Sequence, residues 1–114
     1  MHEVSLVAAL VDQIEELAKK RSFGKVTEVR LKIGALSGVE PSCLEFCFPE
    51  VTRNTLLEGS KLVLEFEELE LKCKQCGHIS CPSDPAALFC MSCQSGDIVI
   101  NKGREFRILD IEVL

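Results

Sequence analysis

The stretch 71–93, Leu-Lys-Cys-Lys-Gln-Cys-Gly-His-Ile-Ser-Cys-Pro-Ser-Asp-Pro-Ala-Ala-Leu-Phe-Cys-Met-Ser-Cys, contains two Cys-x-x-Cys pairs, Cys73 with Cys76 and Cys90 with Cys93. Each pair puts two thiolates on one tight turn, and the residues between the pairs are enough for the chain to fold back and close a tetrahedron. Four sulfurs fill the shell of Zn(II) and leave no open position, so the spacing predicts a structural rather than a catalytic site. Gly77 suits the turn after the first pair. Ile79, Leu88 and Phe89 are too few to form a core, so metal binding must supply much of the folding energy of this segment. The competing assignment, four buried or redox-active cysteines, accounts less well for the doubled spacing. His78, beside the first pair, is a candidate switch ligand, with a place behind the ligands or on the surface as its alternative. Cys81, before Pro82, is expected to be an ordinary thiol.

On either side of this segment the periodicity changes. Val4, Val7, Val11, Ile14 and Leu17, with Leu10 and Ala18 beside them, recur at three- and four-residue intervals and predict an amphipathic helix from Val4 to Lys20. Lys19, Lys20 and Arg21 favour its C-terminal end, and Gly24 stops it. Val29, Leu31 and Ile33 alternate with Arg30 and Lys32 as in a half-buried strand. Pro41 suits the first turn of a second helix whose buried face would carry Leu44, Phe48 and Val51, and Pro49 is expected to break or kink it. Cys43 and Cys47, four apart on that helix, are best taken as small buried hydrophobes. Leu62, Leu64 and Phe66 predict a second strand, extended by Leu69 and Leu71, and residues 106–113 predict a third. The fold class is therefore α+β: a small three-stranded antiparallel sheet packed with two helices, plus an inserted zinc ribbon. In sequence the α/β domain is discontinuous, residues 1–70 and 103–114, around a ribbon at residues 71–102.

Composition narrows the function. The 114 residues carry 13 Lys and Arg against 18 Asp and Glu, a net charge of −5. That balance argues against a nucleic-acid partner, which needs clustered cations to displace counterions, and the absence of Trp and Tyr removes the usual stacking platforms. No apolar run approaches the roughly 20 residues of a membrane span, and no signal-peptide pattern opens the chain, so a cytoplasmic protein is expected. Seven cysteines in that compartment point to metal ligands or reduced thiols. No glycine-rich phosphate loop, nucleophile elbow or paired base accompanies them, so no enzyme is predicted.

The chain opens Met1-His2-Glu3. A free terminal amine, the His2 backbone nitrogen and imidazole and a Glu3 group can together surround an ion that favours nitrogen-rich coordination, such as Ni(II) or Cu(II). A lone His near a terminus is more commonly mobile surface.

These residues, with Val4-Ser5-Leu6, Leu31-Lys32-Ile33-Gly34-Ala35-Leu36-Ser37-Gly38-Val39-Glu40-Pro41, Phe46-Cys47-Phe48, Glu58-Gly59-Ser60 and the paired cysteines, resemble the HypA/HybF family of hydrogenase nickel-incorporation proteins over essentially the whole chain. The resemblance implies a metallochaperone that takes Ni(II) as cargo at its amino terminus. It would help deliver nickel to the [NiFe]-hydrogenase large subunit with a HypB-type GTPase, and would catalyse no reaction. It implies Met1, His2 and Glu3 as the nickel site, with Glu40 in the place of an acidic residue implicated in some members. It also implies that changes at the zinc site are transmitted to nickel affinity. The rival from another class is a zinc-ribbon adaptor for a protein partner, without nickel. Swapping of the ribbon between chains is a route to a homodimer.

Overall fold

The computed structural model describes residues 2–114. In chain order the elements are α1 (His2–Arg21), β1 (Val26–Gly34), α2 (Pro41–Val51), β2 (Lys61–Glu67), β3 (Glu70–Cys73), β4 (Ile79–Ser80), β5 (Ile98–Lys102) and β6 (Phe106–Val113). They form two three-stranded sheets, ordered β2-β1-β6 and β4-β3-β5. The α+β class with two helices, small sheets and a four-cysteine cluster is as the sequence predicts.

The chain divides into two compact units. One comprises residues up to Leu31 with Val39–Leu64 and Ile108–Leu114, the other Lys32–Gly38 with Glu65–Arg107. In the first, α1 buries Glu3, Val7, Leu10, Val11, Ile14 and Ala18, an arc about one third of the helix circumference wide. Val4 and Leu17, expected on that face, are 40% and 37% exposed because they flank the arc on either side. Lys19, Lys20 and Arg21 occupy the last turn, where cations complement the carbonyl end of the helix. α2 packs on α1 and contributes Leu44, Cys47 and Phe48. Val26, Val29 and Leu31 of β1 and Leu57 complete this core.

Pro49 does not break α2, which runs on to Val51. Its ring lies on the exposed face within the last turn, so the backbone acceptor it leaves unpaired can turn to water. Thr52 then ends the helix by donating both its N–H, at 3.0 Å, and its hydroxyl, at 2.7 Å, to the Phe48 carbonyl.

β6 runs antiparallel to β1: Gly34 N–H donates to Glu105 O at one end and Leu114 N–H to Lys25 O at the other. On the other edge β2 follows the connection through α2, and backbone bonds join Val26 N–H to Leu56 O and Ala35 N–H to Glu67 O.

In the second unit Leu69 and Leu71 do not extend β2. That strand stops at Glu67, and β3 begins at Glu70 in the other sheet. The break lies where Gly103, at φ 111°, passes over the chain; a Cβ there would stand 3.0 Å from Leu69 Cα. The Glu67 carboxylate closes the break, accepting from Gly103 N–H at 3.0 Å and from Lys32 Nζ at 3.2 Å. Gly103 is in turn pressed against Gly34, whose added Cβ would lie 2.3 Å from Gly103 O. Gly34→Ala is expected to destabilise the protein by about 3 kcal/mol, since two backbones must part to admit one methyl. Gly24→Ala, with nothing within 4 Å, should stay within about 0.5 kcal/mol of wild type; chemical unfolding of the two variants checks the contrast.

Candidate metal centre

β3 delivers Cys73 to the end of a strand, and the chain then makes one tight turn. Cys73 N–H donates to His78 O at 2.9 Å and Gly77 N–H to Cys73 O at 3.0 Å, while Gln75 and Cys76 N–H groups point at Cys73 Sγ from 3.3 and 3.4 Å. Around Cys90 the same pattern recurs. Its N–H donates to Ser95 O at 2.8 Å, Gln94 N–H donates to Cys90 O at 2.9 Å, and Ser92 and Cys93 N–H groups reach Cys90 Sγ at 3.3 and 3.4 Å. Both turns need a left-handed residue four positions after the first cysteine: Gly77 at φ 78° and Gln94 at φ 63°. The second turn therefore lacks the glycine that marks the first, and the sequence conceals their equivalence. Buried Ser80, which sequence reasoning did not single out, links the turns by accepting from Met91 N–H at 3.1 Å.

The two turns bring the ligand atoms of Cys73, Cys76, Cys90 and Cys93 within 4.8 Å of one another. Cys73 Sγ is 3.6 Å from Cys93 Sγ, and Cys76 Sγ is 3.6 Å from Cys90 Sγ. Sulfurs bonded at about 2.3 Å to one tetrahedral Zn(II) stand about 3.8 Å apart, so the spacing and softness of the donor set fit that ion with every position filled. The first cysteine of each pair is buried and the second exposed.

The thiols differ electrostatically. The Cys93 N–H, followed by that of Ser92 and after opposition from burial, holds the Cys90 thiol down at about 6. The Cys76 and Gln75 N–H groups lower Cys73 in the same way. Cys93 also receives a backbone hydrogen bond, at Ser95, which lowers it, but the proton it shares with Cys73, with partial desolvation of an otherwise exposed sulfur, pushes it up to about 12. Cys76 is likewise raised, despite the His78 N–H, by its contact with Cys90.

Among the described residues these four cysteines are the one group of three or more His, Cys, Asp and Glu arranged to hold a metal. His78 is exposed and joins through its backbone, not its imidazole. Cys81 is exposed, Cys43 half-buried, and Cys47 is buried with its Sγ donating to Leu44 O at 3.6 Å.

The predicted nickel residues lie in the other unit. Met1 is outside the described residues. His2 begins α1 with its side chain 57% exposed, and its Nδ1 is 3.2 Å from Glu3 Oε2. Glu3 is buried, and the same oxygen accepts from Glu40 N–H at 3.3 Å. That backbone bond is the main reason the Glu3 carboxyl sits below its ordinary value, with its own N–H next and burial opposing. The Glu40 carboxylate caps α2, accepting from Ser42 N–H at 3.2 Å and Ser42 Oγ at 2.7 Å.

The chain matches, over residues 1–113, the family model described as HypA, hydrogenase/urease nickel incorporation, metallochaperone. It is 40% identical over 114 residues to hydrogenase maturation factor HypA of Caldanaerobacter subterraneus subsp. tengcongensis, covering 99% of each chain. It is 38% identical to the protein of that name from Rhodobacter capsulatus, covering 100% of each. Its structure is similar to the solution structure of the Ni metallochaperone HypA from Helicobacter pylori, with a TM-score of 0.69 and 32% identity over 98% of this chain and 97% of that one.

Because Cys76 and Cys93 hold their protons, Zn(II) entering the metal-free protein at pH 7.5 should displace at least about two protons, and more as pH falls through the Cys90 value of about 6. Zinc affinity therefore weakens on acidification. Calorimetry in buffers of different ionisation enthalpy measures the protons released; none released would contradict the assignment. Cys73→Ala should lower zinc content and remove hydrogen-exchange protection from β3, β4 and β5 while sparing α1.

Proposed function

Because the chain belongs to the HypA family of hydrogenase/urease nickel-incorporation metallochaperones, we propose that it binds Ni(II) at its amino terminus, through the Met1 amine, His2 and Glu3, and passes the ion on to a [NiFe]-hydrogenase large subunit together with a HypB-type GTPase. The observation that carries this reading is an exposed imidazole held beside a buried carboxylate at the first turn of α1, in a family whose work is nickel incorporation. Nitrogen and oxygen donors suit Ni(II), whereas the four thiolates suit Zn(II) as a resident structural ion. Cargo must be released, and a site at a chain terminus surrounds its ion incompletely, which favours exchange over enclosure. In this reading the protein catalyses no reaction and works in the cytoplasm, as a metallochaperone of this family would. Residues 1–70 with 103–114 would handle nickel and residues 71–102 would form the zinc ribbon. Glu40, whose carboxylate caps α2, and His78, exposed beside the cysteines, are proposed as auxiliary nickel and switch positions respectively.

A second reading, a zinc-ribbon adaptor without nickel, draws on the exposure of Ile79, Phe89, Met91 and Val99 in the ribbon. Equilibrium dialysis of the untagged chain with Ni(II) separates the two. The metallochaperone reading expects His2→Ala to lose nickel binding with zinc content intact; unchanged nickel affinity would leave the adaptor.

A further inference from the structure

α2 uses its two phenylalanines in opposite ways. Phe48 is buried with Leu44 and Cys47, whereas Phe46 is 85% exposed, more than any other large apolar side chain of the described residues except the last, Leu114. A single exposed apolar side chain is ordinary, and what sets this one apart is its surroundings. On a helix its surface neighbours stand three and four positions away: Ser42, Cys43, Pro49 and Glu50. The exposed Pro49 extends the apolar surface with a rigid ring, and Cys43 is half-buried at its edge.

The polar groups around this pair of rings accept hydrogen bonds and hardly donate. Residues 40–51 hold Glu40, Glu45 and Glu50 and no Lys or Arg. Among the described residues Glu45 has no ion-pair partner, and Glu50 is met by Arg53, one turn on, at 2.6 Å. Ser42 donates its hydroxyl proton to Glu40. Pro49 has no N–H to give the Glu45 carbonyl, and no cation stands in the last turn to complement the carbonyl end of the helix. The outer face of α1 is different, since exposed Asp12, Glu16, Lys19 and Lys20 mix both signs.

Such a face selects its occupant. An aromatic ring bordered by carboxylates and a negative helix end is complemented by arginine, whose guanidinium stacks on the ring while its five N–H groups reach the acceptors around it. An anionic membrane surface would be repelled. A second copy carries the same net charge of −5, which opposes self-association through an acidic face. The face also has a telling position. Glu40, which caps α2, donates its N–H to Glu3 at 3.3 Å, so α2 starts beside the first turn of α1, and Phe46 lies about 9 Å further along its axis.

We propose that the outer face of α2, centred on Phe46 with Glu45, Pro49 and Glu50, docks the protein that receives the nickel ion, through an arginine-bearing apolar patch on that recipient. The inference rests on the amino-terminal nickel site proposed above, which gives a recipient its reason to bind here. Phe46 contributes the area buried on docking, and the carboxylates orient the partner and speed its encounter.

The test uses the untagged, nickel-free full chain, with the immature [NiFe]-hydrogenase large subunit from the same source as probe and calorimetry as readout. Phe46→Ala should weaken binding about thirtyfold, with zinc content, helix content and nickel affinity unchanged. Glu45→Lys should weaken it about tenfold at low salt and less as salt screens the contact. Phe66→Ala, which removes another exposed aromatic side chain, should bind as wild type does. Full affinity in Phe46→Ala, or tighter binding by Glu45→Lys, would overturn the inference. So would a HypB-type GTPase that loses affinity for Phe46→Ala where the large subunit does not, or a self-association of the wild-type chain that Phe46→Ala abolishes. A wild-type chain that does not bind the large subunit would remove the recipient and the inference with it. Undiminished nickel binding in His2→Ala would instead overturn the amino-terminal site. Docking is read without nickel, so the two failures are distinguishable.

Discussion

Four cysteine sulfurs brought within 4.8 Å of one another are the constraint around which the second compact unit is arranged. Its buried side chains are few, chiefly Ile33, Leu69, Leu71, Ser80 and two of the cysteines, while Ile79, Leu88, Phe89, Met91 and Val99 are 40% exposed or more. That is too little buried apolar surface to offset the ordering of roughly fifty residues, so a metal–sulfur shell would contribute what a core does elsewhere. The doubled turn geometry follows from the same need: the backbone of each turn is arranged so that its first cysteine accepts two N–H bonds at sulfur and is ready to ionise.

The first unit is held together differently. Its helices and β1 bury Val7, Ile14, Val26, Val29, Leu31, Leu44 and Leu57 almost completely, so it needs no metal to fold and can leave its first turn for other work. A soft, closed, four-sulfur site and an open terminus rich in nitrogen and oxygen would not compete for one ion: Zn(II) is favoured at the first and Ni(II) at the second by donor type alone.

The cysteine quartet is legible in the sequence because Cys-x-x-Cys is a local pattern, as the buried face of α1 is because helical periodicity is local too. What escapes depends on distant parts of the chain. Leu69 and Leu71 continue the alternation of β2, yet they belong elsewhere because Gly103, far along the chain, crosses at Leu69. β5, with its β-branched run Ile98-Val99-Ile100, carries a strand signal that the nearby cysteines overshadow; it pairs antiparallel with β3 across Leu71↔Ile100 and Cys73↔Ile98. Gln94 gives no hint of a left-handed turn, since its conformation is imposed by the sulfur site. At the amino terminus, His2 and Glu3 can be named from sequence, but the partner that pins Glu3 is a backbone N–H, and a backbone group has no signature in a sequence.

Two ions held by two chemically distinct donor sets are the centre of this account. X-ray absorption at the nickel and zinc edges of the native, untagged chain loaded with both metals reads them directly. Nickel should show nitrogen and oxygen neighbours with imidazole scattering and no sulfur, and zinc four sulfurs at about 2.3 Å. Sulfur among the nearest neighbours of nickel, with zinc displaced or short of its four, would contradict it.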